Sequence, residues 1–333
     1  MKYTHIARYV AETVWAIQPS KMAELLSVLA FRAAGHEFTP DDIRTRLGAT
    51  SLEARGASSG VSKRGAVAVV PIRGVIAHRM SALDESWGGT SAESIGRTLE
   101  QIAADPGIGT IMYDIDSPGG TVPGIQELAA QMFALRGQKT QIAQVNSLAA
   151  SAAYWLASQA DEIVSIPSGT AGSIGVFTAH QDLSKALEQE GIDVTLISAG
   201  KYKLEGHPFG PLTEEAHAVL QDRVDTAYGQ FVKDVARGRG VSQAAVRDGY
   251  GQGRALGAKD ALKAGLIDSI GTMDGTIGRL VGRKPAGSLK AEGEPAELEL
   301  APARTAHPDA DPDTDELAAA TEARLAAWRR RLL

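Results

Sequence analysis

The sequence predicts an α/β protein built on a mainly parallel sheet. Short apolar runs rich in β-branched residues, Val67 to Ile76, Thr110 to Ile115 and Thr140 to Asn146, alternate with helical stretches whose apolar residues recur every three to four positions. Segments of glycine, alanine and serine, not tight hairpin turns, follow those runs, and open α/β sheets bind ligands beyond their strand ends. With 333 residues, 44% of them hydrophobic, the chain has material for a large core.

In chain order, residues 1–47 read as a helical arm. Ser20 is its candidate N-cap, and Met22, Leu25, Leu26, Leu29 and Ala33 form one apolar stripe. Small and polar residues make 48–65 a linker, and the core is expected over 66–280. Thr90-Ser91-Ala92-Glu93 has the spacing of a capping box, with Ile95, Leu99 and Ile102 continuing the helix. Ile125, Leu128, Met132 and Leu135 mark a second helix, Ser151 to Gln159 a third, and Gly172 to Ala179 and Val194 to Ser198 further strands.

A long helix opens at Thr213 with Leu220, Val224, Tyr228, Phe231 and Val235 on one face, a core or subunit-interface pattern. Beyond the core, 281–313 is acidic and proline-rich, a composition that cannot bury enough apolar surface to fold. Residues 314–333 regain helical periodicity through Leu317, Leu325, Trp328 and Leu332, the pattern of an amphipathic partner-binding helix.

Composition removes several function classes. A net charge of −6 without a basic, aromatic-interleaved cluster argues against a nucleic-acid partner. The absence of cysteine excludes disulfides, thiolate catalysis and cysteine metal sites. Histidines and carboxylates show no metal-ligand spacing, so no metal or other cofactor is expected. Arg8 and Glu12 interrupt what would be the apolar stretch of a signal peptide, and no run of 18 apolar residues exists, so no membrane anchor is expected.

The chemistry concentrates in three segments. Ala149-Ala150-Ser151-Ala152-Ala153 sets one hydroxyl among side chains too small to cover it, where a strand turns into a helix whose first N–H groups can hold an oxyanion. Asp116-Ser117-Pro118-Gly119-Gly120 follows a strand, and its paired glycines let backbone N–H groups approach a ligand closely. About fifty residues past the serine, Gly200-Lys201-Tyr202-Lys203 offers an amine as general base. Each alone has a bland reading: a tight packing serine, a strand-end turn, a solvated lysine. Three in this order favour a catalytic serine.

These segments, with Thr170-Ala171-Gly172-Ser173-Ile174-Gly175, Pro208, Gly253 to Gly257 and Gly265 to Asp268, resemble the serine/lysine peptidases of the signal peptide peptidase A type, family S49, within the Clp protease/crotonase fold. The resemblance covers roughly residues 65–280 and implies a repeated ββα-type core. It implies Ser151 as nucleophile, Lys203 as base with Lys201 a bystander, Ser173 as the hydroxyl supporting the base, and N–H groups of Gly119, Gly120 and Ala152 as the oxyanion hole. Ala152-Ala153 stands where a glycine pair is common in the family. Such a base must lose its proton near neutrality from an ordinary value of about 10.4, which burial in an apolar pocket brings about; the Glu205 carboxylate is then expected to point away.

Rivals from other classes are a Ser/His/Asp triad using His180 and Asp182, a crotonase-type acyl-CoA enzyme needing no nucleophile, and an assembly factor with an idle core. His78 and His207 read as loop or surface residues. Within the resemblance, the helical arm, single-repeat core and tail match the layout of head maturation proteases of tailed phages. That implies protein or peptide substrates such as capsid, portal or scaffold proteins, a homo-oligomeric ring, and residence in host cytoplasm or prohead. A bacterial signal-peptide or cytoplasmic quality-control peptidase is the alternative.

Overall fold

A computed structural model describes residues 13–23, 60–80 and 89–282. The stripe residues from Leu25 to Ala33, most of the 48–65 linker, and the tail and helix over 283–333 lie outside the described residues. The chain divides into two units, one formed by residues 1–180 with 214–285 and the other by 181–213 with 286–333.

The first unit is α/β, as expected, and its described residues form a ten-stranded and mainly parallel sheet. Its strands are β1 (Trp15–Ile17), β2 (Ser62–Arg64), β3 (Val67–Ala77), β4 (Thr90–Ser91), β5 (Thr110–Thr121), β6 (Thr140–Ala150), β7 (Glu162–Ser165), β8 (Thr170–Gly172), β9 (Ala255–Gly257) and β10 (Ser269–Ile270). The central path runs β10-β7-β6-β5-β3-β2. Of the pairings, β1 with β5, β2 with β3 and β8 with β9 are antiparallel, and the other six are parallel.

Helices α1 (Ala92–Ala104), α2 (Ile125–Ala134), α3 (Ala152–Ala157), α5 (Glu214–Arg239), α6 (Gln243–Gly249), α7 (Ala258–Lys263) and α8 (Met273–Leu280) connect and cover the strands, and α4 (Ser184–Gln189) belongs to the second unit. Side chains alternate across a strand, so β3 and β5 divide their residues between two clusters. Ala68, Val70, Ile72, Ile111, Tyr113 and Ile115 join the main core with Leu99, Ile125, Met132, Trp155 and Phe231. Val67, Val69 and Met112 face Met273, Ile277 and Leu280 of α8.

The long helix α5 packs on α3 through Trp155, whose ring stacks on Phe231 at 4.4 Å and whose Nε1 donates to the buried Asp234 carboxylate at 3.0 Å. A side chain on Gly238 would strike the Ser158 carbonyl at 2.1 Å, so a glycine lets these helices meet. At the far end of α5, the Arg239 guanidinium clamps Asp268 at 2.6 and 2.8 Å. Burial alone would raise the Asp268 carboxyl, but this clamp and the Ile163 N–H hold it below the ordinary carboxylate range.

Four local expectations need correction. The cap of α1 is Ser91, which accepts from Ser94 N at 3.2 Å; Thr90 instead pairs with β3, its hydroxyl bonded to both backbone groups of Arg73. Asp116 to Gly120 does not follow the strand as a loop would but is part of it, because β5 runs on to Thr121. The strand expected over Gly172 to Ala179 ends at Gly172, with one further bridge between Trp15 and Phe177. Finally, Val194 to Ser198 forms no strand.

Candidate active site

Strand β6 runs beside β5 until Ser117 faces Ala149, and beside β8 until Ala150 faces Gly172. One residue further, both β6 and β8 turn sharply: Ser151 has φ 56° and ψ −120°, and Ser173 has φ 54°. Non-glycine residues adopt such positive φ only at a cost of order 1–3 kcal/mol, sustained when the surroundings over-determine them. Here the Ser151 N–H donates to the Gly172 carbonyl at 2.8 Å and the Ser151 carbonyl accepts from Trp155 N at 2.9 Å, so the serine is pinned from both sides. Ser173 is held by its own N–H donating to the Arg254 carbonyl at 2.9 Å.

Ser151 thus sits on a strained turn from strand into helix. Its Oγ donates to the Gly175 carbonyl at 3.3 Å, and the residue is buried. The flanking alanines are buried too, because α3 lies wholly inside the core.

Gly119 is brought to the same place. A Cβ on Gly119 would lie 3.0 Å from Ala152 N and 2.9 Å from the Ala150 carbonyl, and its φ of +97° suits glycine alone. Its N–H donates to Ser117 Oγ at 3.1 Å, and that hydroxyl in turn donates to the Gly74 carbonyl at 2.6 Å. At Gly120 a Cβ would overlap the Ile76 carbonyl at 1.7 Å, so the strands touch there too closely for any side chain. The Ala152 N–H opens α3, and an opening N–H has no acceptor within its own helix. Of the residues singled out, Ser151, Ala152, Gly119, Gly120 and Ser173 therefore gather where β5, β6 and β8 end.

Lys203 belongs to the second unit, within a run of turns over 201–206, and its side chain is exposed. The expectation of a lysine buried in an apolar pocket is not met in this single chain. Lys201 is engaged locally, its Nζ donating to Tyr202 Oη at 2.6 Å and lying 4.4 Å from that ring's centre. Glu205 keeps one buried carboxylate oxygen without a hydrogen-bond partner among the described residues. Of the rival bases, His207 Nδ1 accepts from Phe209 N at 3.1 Å, and the His78 ring lies against Gly124. His180, the last residue of the 1–180 stretch of the first unit, is half-buried, and Asp182 is exposed. Among the described residues no cluster of His, Asp or Glu has the arrangement of a metal site, and no helix is long and apolar enough to cross a membrane.

One neighbour of the site escaped the sequence. Trp15 to Ile17 lies in the stretch read as a helical arm, yet it is a strand, β1, paired with Gly119 to Thr121. A helical turn at 19–23 follows it. Three residues are too few for a periodic signal, so only the density of large apolar residues around Ala16 hinted at burial.

Residues 134–284 match the model of peptidase family S49. The chain is 33% identical over 204 residues to the capsid assembly protease C of Escherichia phage lambda, an alignment covering 61% of this chain and 46% of that protein. It is 34% identical over 204 residues to the head-tail preconnector protein GP5 of Enterobacteria phage P21, covering 61% of this chain and 40% of the relative. The chloroplastic serine protease SPPA of Arabidopsis thaliana is 29% identical over 215 residues, 64% of this chain and 32% of that protein. The chain therefore spans less than half the length of each of these three relatives.

Proposed function

We propose, from the match of residues 134–284 to the model of peptidase family S49, that the chain is a serine endopeptidase with Ser151 as nucleophile and Lys203 as general base. The observation that carries the reading is the strained turn at Ser151, at φ 56° and ψ −120°, with Gly119 lying against Ala152 N. Such a turn presents a hydroxyl at the end of a sheet beside the first N–H of a helix, the geometry of a nucleophile elbow.

In this mechanism the neutral Lys203 amine takes the Ser151 proton as Oγ attacks a substrate carbonyl. The N–H of Ala152, with that of Gly120 or with that of Gly119 once it exchanges its Ser117 Oγ partner for the substrate, receives the charge that develops on the carbonyl oxygen. The protonated amine then gives its proton to the departing amine, and water hydrolyses the acyl-serine with the same lysine as base. Ser173, on the paired turn, is the hydroxyl assigned to orient the lysine. No cofactor takes part in these steps.

Lys203 is exposed on a segment that also exposes Ile192, Val194, Ile197 and Tyr202, with Ile197 93% accessible. An amine needs desolvation to act as a base near neutrality, and a second copy of the chain packing on this segment would provide it. We therefore assign a homo-oligomer, a ring in which Ser151 and Lys203 of different subunits meet. The names of the two phage relatives favour capsid, portal or scaffold proteins as substrates within the host cytoplasm or prohead. The chloroplast relative, named as a serine protease without reference to capsids, leaves a bacterial signal-peptide or cytoplasmic quality-control peptidase as the second reading.

The test is hydrolysis of an unfolded protein substrate, casein, beside a mixture of capsid and portal proteins of a related phage. The wild-type chain is expected to cleave and Ser151→Ala to be inert. Equal cleavage by both would overturn the assignment, and cleavage of casein with intact capsid and portal proteins would favour the second reading.

A further inference from the structure

We propose that the chain's own segment Val14 to Gln18 lies in the place of the substrate strand and closes the Ser151 site to other polypeptides until it is displaced. This rests on the peptidase reading above, and it follows from how β1 is held. Below Ser117 the neighbour of β5 on this side is β6; beyond Ser117, where β6 turns away to Ser151, the neighbour is β1. The segment thus lies alongside the oxyanion glycines in the gap that opens at the nucleophile.

Both edges of the gap hold it. On one edge Trp15 exchanges backbone hydrogen bonds with Phe177, N to O at 2.8 and 2.9 Å. On the other, Val122 N donates to the Val14 carbonyl at 3.1 Å and Gln18 N donates to the Pro118 carbonyl at 2.9 Å. Alternation along an extended strand then turns the N–H and C=O of Ala16 toward its register partner, Gly120. The Ala16 carbonyl oxygen lies 2.2 Å from the point a Gly119 Cβ would occupy, and Ala152 N lies 3.0 Å from that point. The Ala16 carbonyl oxygen therefore lies beside Gly119 and opposite Gly120, two of the residues assigned to the oxyanion hole, where an extended substrate would run.

Peptide recognition by strand addition uses this arrangement: main-chain bonds supply affinity, and alternate side chains supply selectivity. Two features make the segment a displaceable occupant. Trp15, Ile17 and Met22 form a small cluster of their own with Val75 and Phe177, separate from the main core. Opposite Trp15, the buried Thr121 Oγ1 has no hydrogen-bond partner among the described residues, which costs free energy. An incoming strand with a polar side chain at that position would recover the cost, whereas at the position of Ala16, wholly buried in the main core, it must carry a small side chain.

The test uses the full chain and two variants. Trp15→Ala with Ile17→Ala weakens the anchors of the segment. Trp15→Cys with Phe177→Cys, in a chain that has no other cysteine, locks it in place when oxidised. In the Ser151→Ala background, a fluorescent peptide of sequence 11–20 is expected to bind the alanine variant at least tenfold more tightly than the unaltered segment allows, read by anisotropy. In the active background, the alanine variant is expected to cleave casein several-fold faster than wild type, and the oxidised cysteine variant is expected to be inactive and to recover on reduction. Peptide binding without cleavage would retain the slot while refuting the peptidase reading. Equal peptide binding to a folded alanine variant and to its parent, or full activity of the oxidised cysteine variant, would overturn the proposal.

Discussion

The surroundings of Ser151 and the segment 181–213 differ in how many of their bonds the chain itself supplies. Ser151 stands among β5, β6 and β8, three strands of one sheet, with its N–H and C=O both bonded and its alanine neighbours buried. Segment 181–213 contains one six-residue helix, α4, and residues 192–198 have no regular structure. Its side chains at Ile192, Val194, Ile197 and Tyr202 are exposed. The nucleophile half is completed by the chain's own folding; the half with the proposed base presents apolar side chains that burial in an assembly would stabilise by about 25 cal/mol per Å².

This contrast is broken most severely at the serine. Ser151→Ala and Lys203→Ala are each expected to lower peptide hydrolysis roughly 10³-fold or more, while Lys201→Ala and His180→Ala retain most of the rate, read with a fluorogenic peptide. Loss in His180→Ala with survival of Lys203→Ala would move the base to the histidine. If the two halves meet between subunits, mixing inactive Ser151→Ala with inactive Lys203→Ala protein restores part of the activity; a fully active monomer by light scattering would exclude a shared site.

The next effect is at Gly119. Alanine there forces a left-handed conformation on a residue with a Cβ and drives that carbon against three backbone atoms. Folding stability is expected to fall by about 1–3 kcal/mol and the rate per folded molecule by roughly 10²-fold, the scale of a lost oxyanion donor. A folded Gly119→Ala protein with unchanged rate would remove Gly119 from the hole. Ile197→Asp, by contrast, should leave thermal unfolding of the monomer unchanged while shifting the assembly equilibrium toward monomer about tenfold or more, measured by sedimentation. An unaltered oligomer would show that the exposed segment is not the interface.

The smallest effect tests the structural side of the comparison. Asp268 is held below its ordinary range by Arg239 and the Ile163 N–H against the opposing effect of burial. A carboxylate with a lowered folded value stabilises above its unfolded value of about 3.9 and loses that contribution as pH falls through the folded value. Asp268→Asn should therefore melt lower than wild type near pH 7, and the gap should close under acid. A gap independent of pH would mean that the clamp acts through packing alone.

Much of the fold and of the serine half was legible because both rest on strong local constraints. The alternating strand pattern over Val67 to Ile76 and the helical stripe through Leu99 are one-dimensional records of burial. Ala149 to Ala153 and Gly119-Gly120 record backbone crowding, which only small residues tolerate. What was misread depended on partners distant in sequence. Thr90 looked like a cap until β3 claimed its hydroxyl. Val194 to Ser198 has strand composition, but strand formation requires a neighbour that this segment lacks within the described residues. Trp15 to Ile17 became a strand because a gap beside β5 received it, and nothing in three residues announces that.

The most direct measurement is covalent labelling of the serine with a fluorophosphonate, located by mass spectrometry of proteolytic fragments. The proposal predicts one adduct, on Ser151, in the wild-type chain and in Lys201→Ala and His180→Ala, formed at least 10²-fold more slowly in Lys203→Ala. An adduct on another residue, or labelling of Ser151 at the wild-type rate in Lys203→Ala, would contradict the assignment of this serine and lysine.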